Sequence, residues 1–192
     1  MNVKITAEDE QRVEFTLSDT NHYFANLLRR FAMSYVPVMA IDSITVYENN
    51  SSSFDEYLAN RIGLVPLKAP PNYNPKGGFS LLSLDKQGEG VVYSSDLKSQ
   101  DSKVKVAIPN IPLIKLLEHQ SLRIEAKAVP GIGVQSAKFQ CSVSAYDIVK
   151  DGSFSFFTES FSQLPPRAVL SEACGLIEEK CKEFTGALSE LK

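Results

Sequence analysis

Asn26, Arg29 and Arg30 stand close together on a stretch with helical periodicity, and they are the residues best placed to recognise something. Asn26 and Arg30 are four apart, so they are neighbours on a helix surface. A guanidinium beside an amide makes a fork for carboxylates or backbone carbonyls. A solvated polar face is the other reading of the same three residues. No other group of polar residues builds an active site. His22 and His119 have no ligand or nucleophile spacing around them, and Ser94, Ser95 and Asp96 lack a paired base. Asp55-Glu56 opens a helix, where carboxylates favour the positive dipole end, so they need no catalytic role. Gly131-Ile132-Gly133-Val134-Gln135-Ser136 lacks the third glycine and the following helix of a dinucleotide loop. It reads as a hairpin turn between strands at 122–129 and 139–146. The cysteines are Cys141, Cys174 and Cys181; with no C-x2-C spacing they form no metal or cluster motif, and the last two read as small apolar residues. No catalytic residue, metal or cofactor is expected.

The formal net charge of -3 argues against a chain whose main task is gripping phosphate backbones. Residues 96–140 are mildly basic, with seven Lys/Arg against four Asp/Glu. Such a surface either brushes nucleic acid or is simply solvated. No apolar run approaches the ~20 residues that cross a bilayer. The N-terminal residues lack the layout of a signal peptide. The odd, scattered cysteines suit a reducing compartment, so the chain is expected to be soluble and cytoplasmic.

The positioning elements follow from periodicity and punctuation. Val3, Ile5, Val13, Phe15 and Leu17 read as two short strands around a charged turn. Ser18-Asp19-Thr20 supplies cap chemistry for a helix that ends near Tyr35, because Pro37 disfavours helical geometry at Val36. Val38 to Tyr47 is a strand, Asn49 to Ser53 a polar break, and Phe54 to Arg61 a short helix. Ala69 to Gly78 is a loop. Strands follow at Phe79–Leu84, Gly90–Tyr93, Leu122–Val129, Phe139–Tyr146 and Ser153–Phe161. Ile111 to Glu118 fits either a helical turn or a strand. After Pro165-Pro166 the longest helix runs to about Leu191.

Two helices carry stripes that need a neighbour. In the last one, Leu170, Cys174, Ile177, Cys181, Phe184, Leu188 and Leu191 recur at alternating steps of four and three, a heptad seam. The seam either packs on the chain's own sheet or docks a partner helix. Gly175 and Gly186 each cost about 1 kcal/mol of helix propensity, so this helix gains from being clamped. In the first helix Phe24, Leu27, Leu28, Phe31 and Tyr35 share one stripe, opposite Asn26, Arg29, Arg30 and Met33.

The segment Asn26-Leu27-Leu28-Arg29-Arg30-Phe31, followed by Val36-Pro37-Val38-Met39-Ala40-Ile41-Asp42, resembles the signature of alpha-type RNA polymerase assembly subunits. Asp55-Glu56-Tyr57-Leu58-Ala59-Asn60-Arg61-Ile62-Gly63-Leu64-Val65-Pro66-Leu67 is similar to their archaeal and eukaryotic branch, specifically the archaeal D subunits. Two further runs, 90–97 and 108–116, resemble the same branch, and the likeness covers nearly the whole chain in order.

The resemblance implies an α+β fold with a discontinuous dimerisation domain, residues 1–48 and 142–192, whose two helices lie on an antiparallel sheet. Residues 49–141 would be an inserted, mainly β domain. It implies a non-catalytic scaffold that pairs with the small alpha-like subunit L, then receives the second-largest and largest polymerase subunits and the small zinc-binding subunits N and P. Contact with DNA would be indirect. By carry-over, Arg30 engages the second-largest subunit with Asn26 and Arg29 beside it, and Arg61 is grouped with these large-subunit contacts. Phe24, Leu28, Phe31, Leu170, Cys174, Ile177, Cys181, Phe184 and Leu188 would face subunit L. Some D subunits carry an iron–sulfur domain; the cysteine spacing here and the short link from Tyr146 to Ser153 imply none. A freestanding homodimer using the same seam is the alternative.

Overall fold

Alternating apolar residues on either side of a charged turn form a hairpin, β1 (Asn2–Glu8) and β2 (Arg12–Ser18), in which Val13, Phe15 and Leu17 point to one buried face. The computed structural model describes residues 1–190, and they fall into two units. The first comprises residues 1–36, 132–134 and the chain from Gln140 onward; the second comprises 37–131 and 135–139.

In the first unit β1 and β2 join β12 (Ser153–Ser160) and β11 (Ser142–Lys150) in an antiparallel sheet of order β1-β2-β12-β11. Phe15 stacks on Phe156 across the β2–β12 pair at 5.0 Å, the kind of aromatic contact that fixes a register. Two helices cover the face carrying these rings. The first, α1 (His22–Ser34), packs on β11 and on α3 (Pro166–Glu190), and α3 packs on β12 and β2. The N-cap of α1 is Asn21, whose side-chain oxygen accepts from the Phe24 amide at 3.0 Å. The Ser18-Asp19-Thr20 cap expected from sequence is therefore displaced. Ser18 ends β2, and Asp19 takes a positive φ while its carboxylate accepts from Asn2.

In the second unit β3 (Val38–Asn49), β10 (Ser121–Gly131), β5 (Ser80–Gln87) and β7 (Lys98–Ser99) form an antiparallel sheet in that order. The helix α2 (Asp55–Gly63) packs on β3, and two short ladders complete the unit: β4 (Leu67–Lys68) with β8 (Lys105–Val106), and β6 (Gly90–Tyr93) with β9 (Pro112–Leu116). One apolar core runs through it, from Met39 and Ile41 through Leu58 and Ile62 to Leu122 and Ala128. The 90–97 run earns its shape through Ser94, fully buried, whose hydroxyl donates to the Ile108 carbonyl and accepts from the Ile111 amide.

The architecture is the expected α+β fold, with three boundary differences. The division falls at Val36/Pro37 and not after residue 48, because β3 pairs along its whole length with β10 and so belongs to the second unit. Ile111 to Glu118 contains a strand, because pairing with β6 supplies the ladder partner that periodicity alone could not show. The segment 131–136 is not a hairpin turn. β10 pairs with β3 and β5 while β11 pairs with β12, so this segment carries the chain between the units. β11 instead turns into β12 through Asp151-Gly152, with Gly152 at φ 70°.

Gly133, within that connecting segment, marks a close backbone approach. A Cβ added there would stand 3.1 Å from both the Met33 carbonyl oxygen and Ser34 Cα. Both are main-chain atoms and cannot swing aside as a side chain would. Gly133→Ala is expected to destabilise the chain by about 1–3 kcal/mol, read as a lower urea midpoint. At Gly175 an added Cβ meets nothing within 4 Å, so Gly175→Ala is expected to raise the midpoint, by about 1 kcal/mol of helix propensity. Equal shifts for the two variants would show that Gly133 is not sterically required.

Candidate functional site

The long helix meets its own sheet through Pro166, Val169 and Ala173, which are buried at steps of three and four. That stripe is not the heptad seam. Leu170 and Ile177 are half-buried at its margin, whereas Cys174 and Cys181 are exposed, Phe184 is 67% exposed and Leu188 is 52% exposed. From Glu178 to Glu190 every residue is exposed. Leu191, the last position of the seam, lies outside the described residues. The C-terminal half of α3 is thus an amphipathic helix with nothing of its own chain against its apolar side, at about 1.5 Å per residue some 20 Å long. Its polar faces are tied by surface pairs, Lys182 to Glu178 at 2.5 Å and Lys180 to Glu183 at 2.7 Å. These hold side chains away from the seam more than they stabilise the helix.

The first helix differs from expectation at one position. Ala25, Leu28 and Ala32 are its buried residues, so Leu28, 5% exposed, packs against its own chain and is unavailable to a partner. The reason is size: two alanines let α1 settle closely against β11 and α3, and the turn-by-turn stripe they define takes Leu28 with it. Ser142 reinforces the contact by donating to the Ala32 carbonyl at 2.8 Å. Phe24, Phe31 and Tyr35 flank that stripe half-buried, with Phe31 stacked on Tyr35 at 4.5 Å. Leu27 is exposed beside them.

On the polar side the expected Asn26–Arg30 fork is an Asn26–Arg29 fork. The Asn26 amide oxygen accepts from Arg29 Nη2 at 3.0 Å and from Nε at 3.3 Å, and Arg29 Nη1 also approaches the Met33 sulfur at 3.5 Å. Arg30 is exposed and pairs with nothing among the described residues. An always-charged guanidinium presented without an internal partner is suited to a carboxylate on another chain.

Arg61 is held inside the second unit. Its Nη2 donates to the Pro112 carbonyl at 2.5 Å, its Nη1 to the Tyr57 hydroxyl at 3.2 Å, and its guanidinium lies 5.7 Å from the Tyr57 ring. It therefore clamps α2 to β9, and grouping it with the partner-binding residues is corrected on that ground. The resemblance at this motif reflects local folding.

Among the described residues there is no group of His, Cys, Asp or Glu arranged to hold a metal ion, and no helix is long and apolar enough to cross a membrane. Cys141 is buried, and burial pushes its thiol up to about 11, so it is a poor nucleophile at neutral pH. The structure also shows apolar residues that pattern reading treated only as strand formers. Val3 and Ile5 of β1 are 60% and 44% exposed although their alternation assigns them to the core face. Comparing the width of the sheet with the two helices available to cover it was the signal that could have singled them out.

The family model of the RNA polymerase Rpb3/RpoA insert domain matches residues 44–155. The chain is 39% identical over 169 residues to the DNA-directed RNA polymerase subunit Rpo3 of Methanocaldococcus jannaschii, covering 88% of this chain and 86% of that protein. It is 39% identical to the Rpo3 of Pyrococcus horikoshii and 44% identical to that of Natronomonas pharaonis, covering 76% and 71% of this chain. It spans only 59% and 55% of those two relatives' own length. On the family match over residues 44–155, and on identity across most of the M. jannaschii relative, the chain belongs to the Rpb3/RpoA family of RNA polymerase subunits.

Proposed function

We propose that this chain is a non-catalytic assembly subunit of an archaeal DNA-dependent RNA polymerase, of the D type, and that its α3 seam receives a helix of the small alpha-like subunit L. The observation that carries the reading is the uncovered half-helix: Cys181, Phe184 and Leu188 stand exposed at heptad spacing with no residue of the chain against them. Fully burying a Phe or Leu side chain contributes roughly 1.5–3 kcal/mol each. A partner helix on this seam therefore gains several such increments and at the same time holds a helix weakened by Gly175 and Gly186.

The other faces take the remaining contacts. Arg30, exposed and unpaired, reaches the second-largest subunit, with the Asn26–Arg29 pair fixing the surface beside it. The heterodimer is the platform on which the largest subunit and the zinc-binding subunits N and P assemble. The nucleotidyl transfer is carried out by those large subunits in the cytoplasm, and this chain meets DNA only through the complex. It holds no cofactor of its own; the two-residue turn at Asp151-Gly152 makes a plain hairpin of the place where an iron–sulfur domain would be inserted.

Three experiments test this. Phe184→Asp is expected to abolish the complex with subunit L in size-exclusion chromatography while leaving the second unit folded; an unaltered complex would refute the docking role, and a stable homodimer that ignores subunit L would favour self-association. Arg30→Ala is expected to spare that heterodimer and weaken recruitment of the second-largest subunit, by about 2–5 kcal/mol for a desolvated charged contact. Equal loss at both steps would reassign its face. At pH 8 a thiol reagent is expected to modify Cys181 in the free chain, to spare Cys141, whose raised pKa leaves almost no thiolate, and to lose access to Cys181 once subunit L is added. Undiminished Cys181 labelling in the complex would place the partner elsewhere.

A further inference from the structure

The sheet of the first unit is wider than its helical cover, and the uncovered strip lies beside the α3 seam. In the β1–β2 register Val3 stands opposite Leu17 and Ile5 opposite Phe15. Residues directly opposite in an antiparallel pair project from the same face. Leu17 and Phe15 are 1% and 4% exposed beneath α3, which packs on β2 and β12. Val3 and Ile5, one strand further out on that face, remain open to solvent, and Met1 at 68% exposed continues the alternation. The apolar surface thus runs out from under the helix onto β1 and stops with nothing above it.

Which side of α3 overlooks this strip can be read from Arg167. At about 100° per residue, the sheet-facing residues Val169 and Ala173 lie on one side of Leu170, and Arg167 lies on the other. Arg167 reaches down to β1, donating from Nε and Nη2 to the Glu8 carboxylate, each at 2.5 Å. The seam, with Leu170 and Cys181 near its centre, therefore lies between the sheet contact and the β1 side. Seam and strip are the wall and floor of one open angle.

We infer that a single amphipathic helix of subunit L lies in this angle, packing on the α3 seam and on Val3 and Ile5 together. The inference rests on the seam reading above and extends it to β1. Continuity decides the occupant. A helix seated on the seam projects over β1, and a floor of Val, Ile and Met suits its apolar side chains and offers nothing to a charged segment. Such a helix needs an apolar face wider than the narrow a/d stripe of a two-stranded coil, because it is contacted from two directions.

The test is the double variant Val3→Lys/Ile5→Lys in the full chain, titrated with purified subunit L by calorimetry beside Phe184→Asp. Both substituted positions are on an exposed edge strand, and circular dichroism melting confirms that the variant folds. The expected result is a heterodimer weakened about tenfold or more, with Lys4→Glu, on the opposite face of the same strand, binding as the unaltered chain does. Unaltered affinity for the double variant, with binding lost in Phe184→Asp, would overturn the floor contact and leave the seam reading standing. Unaltered affinity in both would remove both. A homodimer of the chain that the double variant dissolves, with subunit L binding unchanged, would make a second copy the occupant and overturn the inference.

Discussion

The structure of the first unit depends on a shortage of cover. Four strands present a continuous apolar face built on Phe15, Leu17, Phe154 and Phe156, and the chain supplies two helices to shield it. Of these, α3 gives the sheet only the residues up to about Ile177, then continues as a helix with no support beneath it. A free helix of that remaining length is marginal in water, since nucleation is costly and each added hydrogen bond returns little. Exposed Phe184 and Leu188 add a penalty that a chain selected for solitary life would remove by polar substitution. An apolar helix half and an apolar strip on β1, both lacking cover in the same unit, are features that one external element satisfies together.

The two helices divide their labour through side-chain size. In α1 the buried stripe is built on Ala25 and Ala32, which allow close approach and leave the aromatic residues at the margin of the contact. In α3 the buried stripe is Val169 and Ala173, again small, with the larger Phe184 and Leu188 placed where no internal neighbour exists. Small residues thus go to the intrachain contact and large ones to the open side. The polar face follows a similar rule: Asn26 and Arg29 satisfy each other, and the next residue, Arg30, is left with its donors free. Internal pairing of Arg29 makes it a fixed neighbour, and an unpaired Arg30 keeps its full capacity for a bidentate contact.

Most element types were legible because they rest on local rules: alternation for β2 and β12, prolines before α3, β-branched content in β3. The misreadings share a cause, which is that strand pairing is non-local. Residues 131–136 look like a hairpin turn because strands stand on either side, and only the pairing of β10 with β3, and of β11 with β12, reveals a connection between units. The same pairing moves β3 out of the first unit. In the site, heptad spacing located the α3 seam, yet spacing could not say that the sheet contact uses the adjacent stripe at Val169 and Ala173. Leu28 was misplaced because hydrophobicity ranks leucine above alanine, whereas packing on β11 chose the stripe that its alanines allow to come close. Arg61 shows the limit of motif resemblance, since a residue in a family signature can owe its place to the Pro112 carbonyl.

The second unit gives this arrangement its independence. Its core draws on residues from Met39 to Ala128 and on none from α1 or α3. A charge introduced into the seam therefore removes a docking surface without touching the packing on which the second unit stands, and an unoccupied seam leaves the α2 clamp of Arg61 on Pro112 in place. The boundary at Val36/Pro37 serves the same end: Pro37 stops α1 before β3 begins, so the helix presenting Arg30 and the strand entering the second core are separate structural decisions. A scaffold works through surfaces that can be filled in turn, and this chain keeps each surface on packing that does not depend on the others being filled.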